Sequence, residues 1–195
     1  TIRTEKKICH YIDMPIQHAS DKILKAMGRR TNNAELRNII SKLRKEIPDI
    51  CLRTTLITGF PGETEEDHQI LLDFIDEMEF DRLGVFTYSP EEDTKAASLD
   101  NQVDEEVKLC RKDEIMELQQ EISMDKSERL VGKEIEVIIE GKASDEDVYV
   151  GRSYMDAPSV DGYVFINSEE ELMSGDFAKV RIVKAMEYDL IGDLI

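Results

Sequence analysis

The sequence has few cysteines, few prolines and no long uninterrupted apolar run. A helix that spans a bilayer needs about 20 consecutive apolar residues, so we expect no membrane-spanning helix. The three cysteines are odd in number and far apart in sequence, which is typical of neither a disulfide framework nor a metal-binding motif. We therefore assign no metal ligands, and we expect reduced thiols, as in a cytoplasmic protein.

Basic residues are also scarce, because 25 Lys and Arg stand against 43 Asp and Glu, giving a formal net charge of −18. Nucleic-acid binding depends largely on contacts of Lys and Arg with phosphate, so this charge disfavours a nucleic-acid partner. It favours a basic partner, attracted over a long range. Residues 22–45 are an exception to this acidic excess, because they contain eight Lys or Arg and the single acid Glu35. That basic segment is either a solvated helix face or a contact surface for an anionic ligand.

Strands and helices alternate over the first 88 residues. Apolar and β-branched runs predict three strands, at 8–16, 51–59 and 83–88. Apolar residues at the 3.6-residue period predict helices between them, at 21–27, from the N-cap candidates in 31–33 to Pro48, and after Thr64. This order is typical of an α/β fold with a parallel sheet and right-handed crossovers.

The pattern changes in the second half of the chain. Residues 104–129 predict a long charged helix. Its predicted inward residues are Val107, Cys110, Ile115, Leu118 and Ile122. After Gly132, about five short strands separated by turn residues predict a small closed, OB-like β-barrel. The predicted domains are 1–126, an α/β domain that includes the long helix, and 127–195, an all-β domain.

The most informative stretch is the strand-to-helix turn in residues 52–66, which read LRTTLITGFPGETEE. Gly59 and Gly62 allow a tight turn and close approach of the backbone to a ligand, and Pro61 stiffens the turn. A Walker lysine and the GxGxxG spacing are missing, and acidic residues already complement the positive helix end. The turn therefore favours adenine or a zwitterion over phosphate. The alternative is a structural turn in which Thr64 caps the helix.

A second strand-to-helix turn lies at residues 11–18, one βαβ unit earlier in the chain. Such turns carry the ligand site in parallel α/β folds, so we expect Gln17 and His18 near Gly59. His18 is either hydrogen-bonded scaffolding or an acid–base group. Arg53, near the start of the next strand, either binds a carboxylate ligand or forms a structural ion pair. The residues by themselves indicate part of an α/β barrel that binds a small molecule, with no catalytic residue assigned.

Three segments resemble the radical S-adenosylmethionine methylthiotransferases. They read YIDMPIQHAS at 11–20, MGRR at 27–30 and RTTLITGFPGET at 53–64. The resemblance implies that the first domain is the second half of a TIM-like (β/α) radical SAM barrel. It also implies that the β-domain is a C-terminal TRAM domain.

The resemblance further implies S-adenosylmethionine as a cofactor of the first domain. The residues placed along adenine would be Ile57, Gly59, Phe60, Phe86 and Tyr88. Gln17 and Arg53 would make polar contacts with the ribose or the carboxylate, and Arg29 and Arg30 are weaker candidates for the same role.

Two later segments resemble one branch of that family, which methylthiolates the β-carbon of an aspartate in a small-subunit ribosomal protein. They are GRSYMDAPSVDG at 151–162 and EYDLIG at 187–192. Residues 127–195 contain 16 acidic against 7 basic side chains. This charge favours docking of a basic ribosomal protein on the TRAM domain. The alternative is a tRNA methylthiotransferase that binds RNA through its TRAM domain and the basic segment 22–45.

The cluster signature of the family, CxxxCxxC, is absent from this sequence. In the family its thiolates hold a 4Fe-4S cluster, and a further domain holds a second one. We therefore expect the two 4Fe-4S clusters of the intact enzyme to have no ligands in this chain, and the chain by itself to be inactive. A partial barrel would also expose a sheet edge, so we expect self-association through that edge.

Overall fold

The structure, a computed structural model, describes residues 1–143 and 148–195. The chain divides into two compact units, which are Ile12–Gln119 and Gln120–Ile195 together with Thr1–Tyr11. The placement of a domain boundary between residues 126 and 127 stays a prediction. Within the described ranges, no helix is both long and apolar enough to cross a membrane.

The first seven elements follow the predicted order, with two helices between the first two strands and one helix after each of the next two. Their bounds are β1 Tyr11–Asp13, α1 Asp21–Ala26, α2 Asn33–Glu46, β2 Cys51–Thr58, α3 Glu65–Met78, β3 Arg82–Thr87 and α4 Glu105–Glu128. The three strands form one sheet in the order β1-β2-β3, and β2 and β3 are parallel with Ile57 opposite Phe86. The α/β class with a parallel sheet is therefore confirmed.

The first strand is much shorter than the predicted 8–16. Pro15 has no N–H to donate to a strand ladder. Gln17 adopts a left-handed backbone, with φ 74°, and rejoins the sheet only through an isolated parallel bridge to Leu56. These two residues end the regular pairing of β1 after Asp13.

Helix α3 begins with a capping box, in which Thr64 Oγ1 accepts from the backbone N–H of Asp67 and the Asp67 carboxylate accepts from the N–H of Thr64. Such a cap satisfies N–H groups that have no partner in the helix itself. The helix buries the apolar residues that the 3.6-residue period places on one face, namely Leu71, Phe74, Ile75 and Met78. Thr64 is therefore the N-cap that the sequence indicated.

Alternate residues of β2 lie on faces of different exposure. Leu52, Thr54, Leu56 and Thr58 are buried. Arg53, Thr55 and Ile57 point to the other face and are only half-buried. We call this second face the open face of the sheet, and its register partners on β3 are Arg82, Gly84 and Phe86.

The buried face of α4 is partly polar. It is formed by residues three or four positions apart, which are Lys108, Arg111, Ile115, Gln119 and Ile122. Val107 and Cys110 are exposed. The prediction that these two residues face inward is wrong, because Lys108 and Arg111 occupy the buried positions instead.

The second unit contains a closed five-stranded barrel. Its strands are β4 Glu134–Lys142, β5 Val148–Ser153, β6 Val164–Asn167, β7 Phe177–Ala185 and β8 Leu190–Leu194, and they pair in the order β4-β5-β6-β8-β7. All pairs are antiparallel except β6 with β8. The barrel core is apolar and includes Val137, Ile139, Val164, Ile166, Val180 and Ile182. The predicted small closed β-barrel is confirmed.

Candidate functional site

A cavity of about 490 Å³ lies beside the two strand-to-helix turns of the unit Ile12–Gln119. We call it the turn cavity. Its lining includes Gln17, Met27, Arg29, Ile57, Phe60, Tyr88 and Lys95. The Gln17 N–H donates to the carbonyl of Thr55 (3.0 Å), and the Gln17 carbonyl accepts from the N–H of Ile57 (2.8 Å). The two turns therefore meet at one end of the sheet.

The cavity lining combines aromatic rings with an unpaired polar atom. Phe60 and Tyr88 pack edge to face, with ring centroids 5.2 Å apart and an interplanar angle of 67°. The Tyr88 hydroxyl is buried and has no hydrogen-bond partner among the residues that the structure describes. A buried hydroxyl without a partner is costly, so a polar ligand atom at this position would be stabilised.

Three of the predicted cofactor-binding residues do not line the turn cavity. Gly59 closes the turn with φ 74°. Arg53 lies on the open face, four residues or roughly 13 Å along the strand from Ile57. Its Nη1 is 3.0 Å from Oδ2 of Asp13. Phe86 lies opposite Ile57, on the same face, but its side chain is 63% exposed.

Behind the turn lies a buried charged cluster that we call the Glu63 cluster, formed by Glu63, His18 and Arg111. Glu63 Oε2 accepts hydrogen bonds from the backbone N–H groups of Gly59 (2.7 Å) and Phe60 (3.2 Å). Arg111 Nη1 donates to Glu63 Oε1 at 3.0 Å. Burial alone would raise the pKa of Glu63, but His18, Arg111 and the Gly59 N–H outweigh it and lower the pKa. Glu63 is therefore an anion that fixes the turn.

His18 is part of this cluster and is fully buried. Its Nδ1 accepts from the backbone N–H of Ser20 at 2.9 Å, so the hydrogen of the neutral ring is assigned to Nε2. Nε2 lies 3.5 Å from Glu63 Oε2, a long separation at which the attraction is mainly electrostatic. The position of His18 supports the scaffolding interpretation over an acid–base role.

A second carboxylate links the same two turns. Asp67 accepts from the Ser20 hydroxyl (2.6 Å), from Lys22 Nζ (2.5 Å) and from the Thr64 hydroxyl (2.8 Å). Burial would raise the pKa of Asp67, but these hydrogen bonds, of which that from Lys22 is the strongest, lower it far below its usual range. Ser20 and Lys22 come from the first turn, so Asp67 ties that turn to the start of α3.

Sequence reasoning missed the role of Glu63. The sequence places it among acids that complement a helix end, and nothing local distinguishes it from Glu65 or Glu66. Its cationic partner Arg111 is 48 positions away. A buried Arg111 on α4 would have indicated that Glu63 is its partner. The periodicity of apolar residues, however, does not predict a buried arginine.

In the second unit, the segments 151–162 and 187–192 lie against each other. A β-carbon on Gly162 would collide with the carbonyl of Tyr188. The Asp189 carboxylate accepts from the N–H of Tyr163 at 2.7 Å. The two segments that carried the finer resemblance therefore form one local structure on the barrel.

Comparison with known proteins gives two family matches. Residues 2–75 match the radical SAM superfamily, and residues 131–195 match the TRAM domain. Neither segment alone covers half of the chain, but together they account for most of both units.

Individual relatives extend the match over almost the whole chain. A protein of Lachnoclostridium phytofermentans is 60% identical over 191 residues, covering 98% of this chain and 43% of the relative. One of Pelotomaculum thermopropionicum is 54% identical and covers 97% of this chain and 43% of the relative. One of Clostridioides difficile is 50% identical over 194 residues, or 44% of its length.

The three relatives carry the name ribosomal protein uS12 methylthiotransferase RimO. This name does not favour the alternative of a tRNA methylthiotransferase. The chain spans less than half of the length of these relatives. This chain is homologous to the RimO methylthiotransferases, and it contains radical SAM and TRAM segments.

Proposed function

We propose that this chain forms one side of the S-adenosylmethionine site of an enzyme that methylthiolates an aspartate of ribosomal protein uS12. The observation that carries the proposal is the convergence of Gln17, Ile57, Phe60 and Tyr88 on one cavity. These residues come from two turns that are far apart in sequence and from the end of a third strand. The similarity to the uS12 methylthiotransferases supports the reaction and the substrate.

The lining of the turn cavity fits S-adenosylmethionine. Ile57 and Phe60 offer apolar contact to a planar base, and the unpaired Tyr88 hydroxyl offers a polar one. Arg29 and Lys95 also line the cavity and match a carboxylate. When bound and cleaved reductively, this cofactor supplies a 5′-deoxyadenosyl radical, and a further molecule supplies the methyl group.

The two 4Fe-4S clusters of the proposed intact enzyme are not assigned to this chain. Within residues 1–143 and 148–195, the structure contains no group of three or more His, Cys, Asp or Glu side chains that could hold a metal ion. We propose that this chain contributes to positioning of the cofactor.

Calorimetric titration with S-adenosylhomocysteine tests the proposed site. Phe60→Ala and Gln17→Ala should each weaken binding about tenfold, because each removes about 1.4 kcal/mol of contact energy. Phe177→Ala, an exposed site on the barrel, should leave the affinity unchanged. A weaker affinity for S-adenosylhomocysteine in Arg53→Ala or Phe86→Ala would show that the ligand extends along the open face. Absence of binding to the unsubstituted chain would contradict the cavity as a cofactor site.

We also propose that uS12, as a basic protein, docks on the acidic barrel in the cytoplasm. Residues 127–195 have a net charge of −9, from 16 acids and 7 bases. A cleft of about 530 Å³ in this unit is lined by Glu169, Glu170 and Asp193. Complementary charge of this kind increases the association rate and excludes partners of the same sign, including RNA.

Charge reversal tests this docking. The double variant Glu169→Lys, Glu170→Lys should weaken uS12 binding about tenfold and reduce its salt dependence. The matched control is Glu117→Lys, Glu121→Lys on α4, which changes the net charge equally at a different surface. Equal losses in both double variants, or salt-sensitive binding to tRNA instead of uS12, would contradict docking on the barrel.

Self-association through a sheet edge is proposed as well. The sheet has three strands with β1 and β3 at its edges. An edge strand can pair with a second copy. Sedimentation velocity on the order of 50 μM should show a dimer. A single monomer boundary at that concentration would contradict the proposal.

A further inference from the structure

Helix α4 places two cations against the rest of its unit. Lys108 is 4% exposed and Arg111 is 6% exposed, and they lie about one helical turn apart. Lysine and arginine are almost never buried to this extent without partners. Lys108 pairs with Glu105 on α4 itself, but each cation also has a partner in a segment beside the turn cavity, although neither cation lines the cavity.

Lys108 holds the Tyr88 side of the cavity. Its Nζ donates to the carbonyl of Tyr88 at 2.9 Å and lies 5.6 Å from the centroid of the Tyr88 ring. The aliphatic part of the side chain packs against Gly59, at a distance that only a residue without a β-carbon permits. One side chain therefore contacts both the end of β3 and the turn after β2.

Arg111 holds the Phe60 side. Its Nη1 donates to Glu63 Oε1 at 3.0 Å and to the Glu63 carbonyl at 3.3 Å. The Glu63 carboxylate in turn accepts from the N–H groups of Gly59 and Phe60. The position of the Phe60 turn is thus connected to α4 through one buried carboxylate.

We propose that Lys108 and Arg111 are positioning residues, which hold Tyr88 and Phe60 at the separation that the ligand of the turn cavity requires. Apolar residues at both positions would attach α4 to the unit at least as well, since buried ion pairs are weak stabilisers compared with apolar packing. Directional hydrogen bonds do something different, because they fix the Tyr88 carbonyl and the Glu63 carboxylate in a defined geometry. The positioning of the two segments by these cations depends only on the contacts described above. Its expected effect on ligand affinity depends in addition on the proposed function.

Amide hydrogen exchange of the whole chain tests the positioning directly. In Arg111→Met the amides of Gly59 and Phe60 should exchange about tenfold faster, because their acceptor Glu63 loses its cationic partner. In Lys108→Met the amide of Tyr88, which donates to the Thr58 carbonyl, should exchange faster in the same way. The backbone amide of Leu71 in α3 should keep the exchange rate of the unsubstituted protein in both variants.

Lys112→Met is the matched control, because Lys112 is a neighbouring cation on α4 outside this set of contacts. It should change none of these exchange rates. Arg111→Lys keeps a charge and should restore part of the protection of the Gly59 and Phe60 amides. If Arg111→Met does not fold, the comparison of Arg111→Lys with Lys112→Met decides the question.

A second measurement separates this inference from the proposed function. Lys108→Met and Arg111→Met should each weaken S-adenosylhomocysteine binding about tenfold relative to Lys112→Met. If the unsubstituted chain does not bind this probe, the proposed cofactor site fails, while the exchange data still decide the positioning role. Unchanged exchange at Gly59, Phe60 and Tyr88, or an equal increase across α3, would overturn the inference.

Discussion

The side chain of Lys108 fills the space in which a β-carbon on Gly59 would have to lie. Gly59 also has φ 74°, a left-handed conformation that is unfavourable for other residues. Gly59→Ala should therefore lower the free energy of unfolding by about 2–4 kcal/mol, from backbone strain together with displacement of Lys108. Urea denaturation followed by circular dichroism measures this loss.

Gly62 provides the control for the steric part of that loss. It has φ 84°, but no atom of the part of the chain that the structure describes lies within 4 Å of the position of an added β-carbon. Gly62→Ala should cost only the backbone term, about 1 kcal/mol. Equal losses in the two variants would show that Lys108 moves away without cost.

The Glu63 cluster should make stability depend on pH. The pKa of Glu63 is lowered in the folded state, so its contribution is fully present above its ordinary value of 4.5 and is lost as the pH falls through the lowered pKa. Glu63→Gln should lower the free energy of unfolding by about 3 kcal/mol at neutral pH, because Arg111 loses its buried counter-charge and keeps only the exposed carboxylate of Glu65, 3.4 Å from its Nη2. The same variant should lose less further stability between roughly pH 5 and pH 3 than the unsubstituted protein.

Denaturation with urea at about pH 7, 5 and 3.5 checks this prediction. Glu117→Gln, an exposed carboxylate on α4, is the control and should keep the pH dependence of the parent. Parallel curves for Glu63→Gln and the parent would contradict a lowered pKa at Glu63.

The thiol of Cys110 should react slowly for an exposed cysteine. Its hydrogen bond to Glu114, followed by the charge of the same carboxylate, raises the pKa of Cys110. Because the thiolate is the reactive form, Glu114→Gln should increase the rate of alkylation by iodoacetamide about threefold near pH 8. The measurement is made in a Cys9→Ser background, since Cys9 is exposed and Cys51 is buried. Glu117→Gln should leave the rate unchanged.

The contact between Gly162 and Tyr188 should be essential to the barrel. A β-carbon on Gly162 would collide with backbone, which cannot rotate away as a side chain can. Gly162→Ala should therefore cost about 2–4 kcal/mol. Gly141→Ala is the control, because its added β-carbon meets no atom of residues 1–143 and 148–195 within 4 Å and alanine is tolerated in a strand. A thermal unfolding scan that ranks the two variants equally would contradict the contact.

Features set by local chemistry were predictable from the sequence. The cap at Thr64, the apolar face of α3 and the strand Cys51–Thr58 follow from side-chain hydrogen bonding and from periods of 3.6 and 2. The meeting of Gln17 with the turn after β2 was also predictable, because parallel strands bring their carboxyl ends to one edge.

Features set by distant polar partners were not predictable in the same way. Periodicity assigned Cys110 to the inward face of α4, whereas Arg111 is buried because Glu63 lies opposite it. The short β1 has two causes, of which the missing N–H of Pro15 could be read from the sequence, whereas the left-handed backbone of Gln17 could not. In each case a specific hydrogen-bond requirement overrides the average preference of the residue.

The left-handed backbone of Gln17 has an evolutionary consequence. Glycine would adopt φ 74° without the penalty of about 1 kcal/mol that a side chain incurs, so selection for folding alone would favour Gln17→Gly. Gln17 lines the turn cavity, so the proposed ligand, and not the fold, would account for a residue other than glycine here. Relatives that do not bind this ligand should therefore carry glycine at this position.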